Sequence, residues 1–326
     1  MKKSDCSLEE AAEEWLKSRR PEIKESTLSN YTYYLEHYIF PELRGCLLSK
    51  VGTDTLREYI LELEERGIGP STIRKTLLIL RMVLQYAGLQ GCKVAGYKEI
   101  RVMNRNRRRI SSLTEEEQAR LLAYLSGEDC PLRREVRTGF ILSLFAGLRI
   151  GEVCALKWKN LDLKRGVISV EKTLSRIYYA DAWEGADRVK KRRKRTRIEI
   201  SSPKTENSRR EIPLPVFLQE YLRNEQRERY VCPDFYVLTS MPRPMEPRTY
   251  SYHFRKVRQD LDIMHCNYHM LRHTFATKCV EAGFDMKTLA EILGHANVST
   301  TLNLYAHPTL QMKRNYMEKL ADAYGL

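Results

Sequence analysis

The residues best suited to chemistry lie mostly in the last third of the chain: His269-Met-Leu-Arg272, then Leu293-Gly294-His295, then Tyr305 ten residues further on. Upstream stand Arg149, in Ala146-Gly147-Leu148-Arg149-Ile150-Gly151-Glu152, and Lys204, in Pro203-Lys204-Thr205. Together they offer two guanidiniums, an ammonium, two imidazoles and a phenol, a set that suits attack on a phosphodiester without a metal. The non-bridging oxygens of a phosphodiester repel nucleophiles. Planar, permanently charged guanidiniums bind those oxygens bidentately, so Arg149 and Arg272 are the candidate clamp. His295 is expected to donate to a phosphate oxygen. Lys204 is expected to protonate the departing 5′-oxygen, because an alkoxide leaves poorly; Lys190, Lys191 and Lys194 compete for that role. A free phenol has a pKa near 10 and is ionised about one time in a thousand at pH 7. As a nucleophile, Tyr305 therefore needs a base or a cationic field, which His269 and the two arginines are placed to supply.

This constellation resembles the tyrosine recombinase (phage integrase) family, over roughly residues 7 to 320. Each catalytic position of that family has a counterpart here, in the same order. The phrase Thr300-Thr301-Leu302-Asn303-Leu304-Tyr305-Ala306-His307, following Gly294-His295 at the family's spacing, distinguishes Tyr305 from the other tyrosines among the nineteen. The resemblance implies that Glu152 supports the site through hydrogen bonds. It also implies a covalent 3′-phosphotyrosyl intermediate, a free 5′-hydroxyl, and strand exchange through a Holliday junction in a homotetramer, with neither ATP nor a metal or other cofactor. An accessory directionality protein is a further candidate partner. A type IB topoisomerase would use the same chemistry as a monomer, and activity on plasmid lacking a specific site pair would reveal it. A catalytically silent DNA-binding regulator is disfavoured by the intact residue set.

Bulk properties agree with a polyanionic partner. The 326 residues carry a formal net charge of +14 and are 42% hydrophobic, enough for two cores. There is no run of about 18 apolar residues and no signal-like N-terminus, so a cytoplasmic, nucleoid-associated protein is expected, with no membrane partner. The eight cysteines form no Cys-x-x-Cys pair. Reduced or buried free thiols are expected, rather than a disulfide framework or a zinc ribbon. His265, Cys266, His269 and His273 cluster, but no carboxylate or second cysteine completes a zinc set. His265 and His273 are therefore read as structural.

The positioning elements follow from periodicity. The pattern predicts a mainly α protein with a small antiparallel β-sheet (α+β). In the resembled family this is an N-terminal core-binding bundle and a catalytic domain closing as a C-shaped clamp on DNA. Residues 1–100 read as four helices. The first opens with the capping box Ser7-Leu-Glu-Glu10, the second is expected to stop at Pro41, and the others carry Leu56, Ile60, Leu63 and Ile73, Leu77, Leu80, Leu84 on their inner faces. Residues 101–110 read as a linker and 111–326 as the catalytic domain, beginning with a second capping box at Thr114–Glu117. Phe140–Phe145 reads as a buried helix ending at Gly147. Val167–Val170 and Arg197–Ile200 read as strands, and Arg209–Pro213 is expected to pair with the latter in a hairpin whose turn carries Lys204. A C-terminal helix over about 309–324 is, in the family, often donated to a neighbouring subunit. The sequence is read as opening directly on the bundle, so an arm-binding domain of the kind that many mobile-element integrases carry is not expected.

Two basic stretches stand out. The linker holds Arg101, Arg105, Arg107, Arg108 and Arg109 within nine residues, without apolar periodicity. It is read as tracking a phosphate backbone rather than as a bare tether. An insertion at about 175–197 ends in eight positive charges within ten residues, including Lys190, Lys191, Arg192, Arg193 and Lys194. It is read as an extra DNA or partner contact, and it favours a mobile-element integrase over a chromosome-dimer resolvase.

Overall fold

The computed structural model describes residues 5–96, 112–178, 196–201, 209–229 and 231–305, together with Arg314, Met317, Glu318, Leu320 and Tyr324. Lys204, the linker arginines Arg101, Arg105, Arg107, Arg108 and Arg109, and the cluster Lys190, Lys191, Arg192, Arg193 and Lys194 lie outside the described residues. The chain divides into two compact units: Met1–Arg108 with Arg176–Arg197, and Arg109–Ser175 with Ile198–Leu326. Among the described residues, no helix is long and apolar enough to cross a membrane.

The first unit is helical: α1 (Leu8–Arg19), α2 (Glu25–Tyr34), α3 (Phe40–Leu43), α4 (Thr53–Glu65) and α5 (Pro70–Leu89). Its first capping box forms as read: Ser7 Oγ accepts from the Glu10 N–H, and Glu10 Oε2 accepts from the Ser7 N–H at 3.0 Å. Leu8, Trp15, Leu35, Leu63 and Ile73 are fully buried in one core. Pro41 does not end the second helix. Leu35–Ile39 winds as a π-helical turn, with the Phe40 N–H bonded to the Leu35 carbonyl, and Pro41 sits in the first turn of α3. Proline lacks an N–H and clashes with the carbonyl four residues back. The wider turn takes up that misfit, so the chain stays helical from Glu25 to Leu43. The free-thiol expectation is corrected at one pair: Cys6 and Cys92 form a disulfide. Their separation of 86 residues in sequence hides a proximity that no short Cys spacing could signal. Tyr178, which belongs to this unit, sets its ring against Tyr33 and His37 and hydrogen-bonds Glu36.

The second unit holds α6 (Glu115–Ser126), α7 (Arg134–Ala146), α8 (Ile150–Ala155), α9 (Val216–Arg229), α10 (Pro247–Asp260), α11 (His269–Glu281), α12 (Met286–Leu293) and α13 (Val298–Tyr305). The capping box at Thr114 and Glu117 forms here too. In α7 even Thr138 and Ser143 are fully buried, because α9, α10 and α11 pack against it; Phe140 stacks on Tyr250 at 4.8 Å.

The strands are β1 (Leu161–Asp162), β2 (Val167–Val170), β3 (Thr173–Tyr178), β4 (Thr196–Ser201) and β5 (Arg210–Pro213). One antiparallel sheet runs β1-β2-β5, and β3 pairs with β4 separately. The expected hairpin between 197–200 and 209–213 is therefore corrected: β5 pairs with β2, with Ile168 opposite Ile212. Burial explains the choice. Ile168 and Ile212 are both buried and share a core face, whereas Ile198 and Ile200 stay about 40% exposed and offer β5 no apolar face.

Candidate active site

Arg149 caps α8 immediately after a sharp change of direction. α7 ends at Gly147, whose φ of 63° lies in the left-handed region, and a Cβ there would sit 2.5 Å from the Phe275 ring. Only glycine fits. The Arg149 side chain turns back along α8: Nη1 donates to Glu152 Oε1 at 2.8 Å and the backbone N–H donates to Oε2 at 2.9 Å.

Glu152 is buried between two guanidiniums. Arg210 donates to both of its oxygens, at 3.1 and 2.9 Å. Burial pushes the carboxyl pKa up, but the bonds and charge of Arg210, then the charge and backbone of Arg149, outweigh it and hold the pKa at about 2. Arg210 was not among the residues read as functional. The signal for it was strand alternation: it lies two residues before the buried Ile212, on the same face of β5.

The C-terminal end of α12 organises three arginines at once. Arg210 Nε donates to the Ile292 carbonyl at 2.5 Å, Arg272 Nη2 to the Leu293 carbonyl at 2.5 Å, and Arg149 Nη2 to the Gly294 carbonyl at 3.0 Å. Gly294, at φ 63°, terminates the helix and leaves these carbonyls without helical partners. Arg272 is almost wholly buried and also donates to the Gly147 carbonyl at 2.8 Å. Burial and the charge of Arg149 lower its pKa to about 9, so it stays charged at neutral pH.

His295 follows Gly294 directly. Its Nε2 lies 3.0 Å from Arg272 Nη2 and its Nδ1 lies 2.8 Å from Thr301 Oγ1. A guanidinium only donates, so Nε2 accepts and the proton sits on Nδ1. Burial and the charges of Arg272, Arg149 and Arg210 lower the pKa to about 4, which keeps this ring neutral. His295 Nε2 thus accepts from Arg272.

Tyr305, the last residue of α13, is buried against Ala276, Cys279, Val280, Leu289 and Leu293. Its hydroxyl hydrogen-bonds His273 Nδ1, one helical turn beyond His269. The i, i+4 spacing of the two histidines was the signal that places His273 on the same face as the site. The His269 and His273 rings meet edge-on at 4.6 Å. His269 is lowered by desolvation and by the charges of Arg272 and Arg149. Burial raises the Tyr305 phenol to about 12, against the opposing charges of Arg272 and Arg149. At pH 7 that leaves roughly one phenol in 10⁵ ionised. The structure thus brings Arg149, Glu152, His269, Arg272, His295 and Tyr305 together, whereas Lys204 falls between the described ends of β4 and β5. Among the described residues, no group of three His, Cys, Asp or Glu is placed to hold a metal ion.

Comparison with known proteins assigns the chain to a family. Residues 111–312 match the phage integrase family, and residues 7–64 the N-terminal SAM-like domain of phage integrases. A tyrosine recombinase XerC-like protein of Caldanaerobacter subterraneus subsp. tengcongensis is 27% identical over 346 residues, spanning 98% of this chain and 84% of the relative. The transposase from transposon Tn916 of Enterococcus faecalis is 23% identical, spanning 93% of this chain and 75% of its own. In fold, the chain is similar to the Tn1549 transposon integrase solved with transposon right end DNA, with a TM-score of 0.77, 22% identity, and 97% and 100% of the two chains covered. The chain belongs to the phage integrase family, as a tyrosine-type site-specific recombinase.

Proposed function

We propose that this recombinase cuts duplex DNA by attack of Tyr305 on a phosphodiester held by Arg149 and Arg272, leaving a 3′-phosphotyrosyl bond and a free 5′-hydroxyl. Lys204 protonates the leaving oxygen, Glu152 holds Arg149 in its orientation, and His269 and His295 complete the polar wall. The phosphotyrosine keeps the energy of the broken bond, so ligation is the same reaction reversed, without hydrolysis or ATP. The observation that carries this reading is the convergence of two arginines on the C-terminal end of α12, beside a buried phenol that is already hydrogen-bonded to an imidazole.

On this reading the chain works as a homotetramer on DNA and moves a mobile element, with an accessory protein setting direction. Support comes from relatives: a lambda integrase tetramer has been solved on a Holliday junction, and the Tn1549 integrase with circular intermediate DNA. The linker arginines Arg101, Arg105, Arg107, Arg108 and Arg109 and the insertion residues Lys190 to Lys194 follow the phosphate backbone, consistent with the net charge of +14. Its place of work is the cytoplasm, where the DNA lies.

The test is a nicked suicide duplex drawn from the DNA flanking its own gene. Wild type should form a covalent adduct stable on a denaturing gel, while Tyr305→Phe binds the duplex and forms none. An adduct with Tyr305→Phe would assign the nucleophile elsewhere.

A further inference from the structure

A phenol that attacks phosphorus must shed its proton, and the Tyr305 hydroxyl is hydrogen-bonded to His273 Nδ1. We propose that His273 is the general base of strand cleavage: as the Tyr305 oxygen bonds to phosphorus and the P–O5′ bond breaks, the phenolic proton passes to Nδ1. This inference rests on the reading of Tyr305 as nucleophile. The 5′-oxygen leaves with a proton from the Lys204 ammonium, so the site gains one proton at His273 and loses one at Lys204. Ligation reverses both transfers: the imidazolium returns its proton to the phenol as the 5′-hydroxyl attacks the phosphotyrosine.

Three observations converge on this assignment. First, donor and acceptor are held by packing rather than by chance contact. His273 lies inside the thirteen-residue helix α11, and the Tyr305 ring is seated on Ala276, Cys279 and Val280 of the same helix. Second, His273 is neutral at working pH: burial, then the charges of His269 and Arg272, lower it to about 4, so one ring nitrogen keeps its lone pair. The groups facing His273 among the described residues are His269 and Arg272 on α11 and Tyr305 on α13. Third, the His273 ring contacts both neighbours: it meets His269 edge-on at 4.6 Å and the Tyr305 ring at 5.7 Å.

The resting values also say when the proton moves. With the phenol near 12 and the imidazole near 4, the shared proton stays on Tyr305 in the unbound site. Transfer becomes favourable only as the O–P bond forms and the phenolic oxygen loses its basicity, which is general-base rather than pre-ionised catalysis. A recombinase with this arrangement carries no phenolate between reactions.

The experiment compares single-turnover adduct formation by the full chain on the same nicked duplex, between pH 5 and 9. The variants are His273→Ala, His273→Asn, Lys204→Ala and Tyr305→Phe. Asparagine offers an acceptor oxygen near the position of Nδ1 but cannot take a proton, so it separates a base from a positioning residue. Cleavage by both His273 variants should slow by about 10²–10⁴-fold. Both should stay slow at every pH between 5 and 9, because His273 titrates near 4, below that range, and no pH within it restores a missing base. A duplex with sulfur replacing the bridging 5′-oxygen needs no leaving-group proton. It should therefore restore Lys204→Ala and leave the His273 variants slow. Should His273→Asn cleave within about threefold of wild type, His273 only positions the phenol and the proposal is overturned. Recovery of the His273 variants on the sulfur duplex would instead move His273 to the leaving-group side. An adduct with Tyr305→Phe would remove the nucleophile itself, a different failure that the same gel displays. If His273→Ala does not fold, His273→Asn on the normal and sulfur duplexes still decides.

Discussion

Replacing Glu152 with glutamine keeps the shape of the side chain and removes the one negative charge between Arg149 and Arg210. Its folded carboxyl titrates at about 2 instead of the ordinary 4.5. At about 1.4 kcal/mol for each tenfold change, that difference corresponds to about 3 kcal/mol of stability. The sign follows from the direction of the shift. A depressed carboxyl stabilises fully above its unfolded value of 4.5, and the contribution is lost as pH falls towards 2. Burial gives an independent figure. Glu152 and Arg210 are 4% and 6% exposed, and stripping one partner from so buried a pair costs about 3–5 kcal/mol. Urea unfolding of the second unit, followed through Trp158 fluorescence after Trp15 and Trp183 are replaced by phenylalanine, should show Glu152→Gln less stable by about 3 kcal/mol at pH 7. That gap should close as pH falls from 4.5 towards 2, because the wild-type carboxyl is then being protonated as well. A gap that stays constant with pH, or one below about 1 kcal/mol at pH 7, would refute the electrostatic account of this site.

Gly147→Ala should destabilise the second unit by about 2–5 kcal/mol, read by the same urea titration: the left-handed backbone costs about 1–2 and the clash with Phe275 about 1–3. Adduct formation should fall with it, because the Gly147 carbonyl orients Arg272. DNA binding followed by fluorescence anisotropy should weaken about 10³–10⁵-fold between 50 and 200 mM salt if 6–10 phosphates are contacted. Neutralising Arg105, Arg107, Arg108 and Arg109 should flatten the log–log slope by up to about 3–4, and an unchanged slope would make the linker a tether. Deleting residues 309–326 should leave single-site binding largely intact on a mobility-shift gel and impair synapsis of two sites; Met317, Leu320 and Tyr324 are exposed there.

The elements that the sequence made legible are those whose signals are local. Both capping boxes, the buried helix before Gly147 and the strand Val167–Val170 follow from spacing over a few residues. Partnerships at long range were not legible. β5 pairs with β2 rather than β4 because burial of Ile168 decides it, and no local pattern reports burial. The helical run through Pro41 escaped because a π turn has no sequence signature of its own. Within the site, residue types and order indicated which side chains belong, but not which one touches which. Arg210 looked like one more arginine of a basic strand, and His273 like a core histidine.

What makes the site work is a helix end that would be a liability elsewhere. A helix stopped by a left-handed glycine exposes carbonyls carrying the negative end of its dipole, and buried carbonyls need donors. Ile292, Leu293 and Gly294 meet that need with Arg210, Arg272 and Arg149, each on a different element, so β5, α11 and the start of α8 are fixed together by one turn of backbone. Three guanidiniums against the single carboxylate of Glu152 leave a net charge of +2 in a mostly buried cluster. Burial first, and then neighbouring positive charge, keeps His273 and His295 neutral, and the excess favours an anion beside the cluster. A Cβ at Gly294 would lie 2.9 Å from Arg210 Nη1, so the residue that stops the helix also leaves room for the arginine beside it. Leu293-Gly294-His295 is thus one structural device: an exposed carbonyl end, the bend that exposes it, and an imidazole delivered next to Arg272.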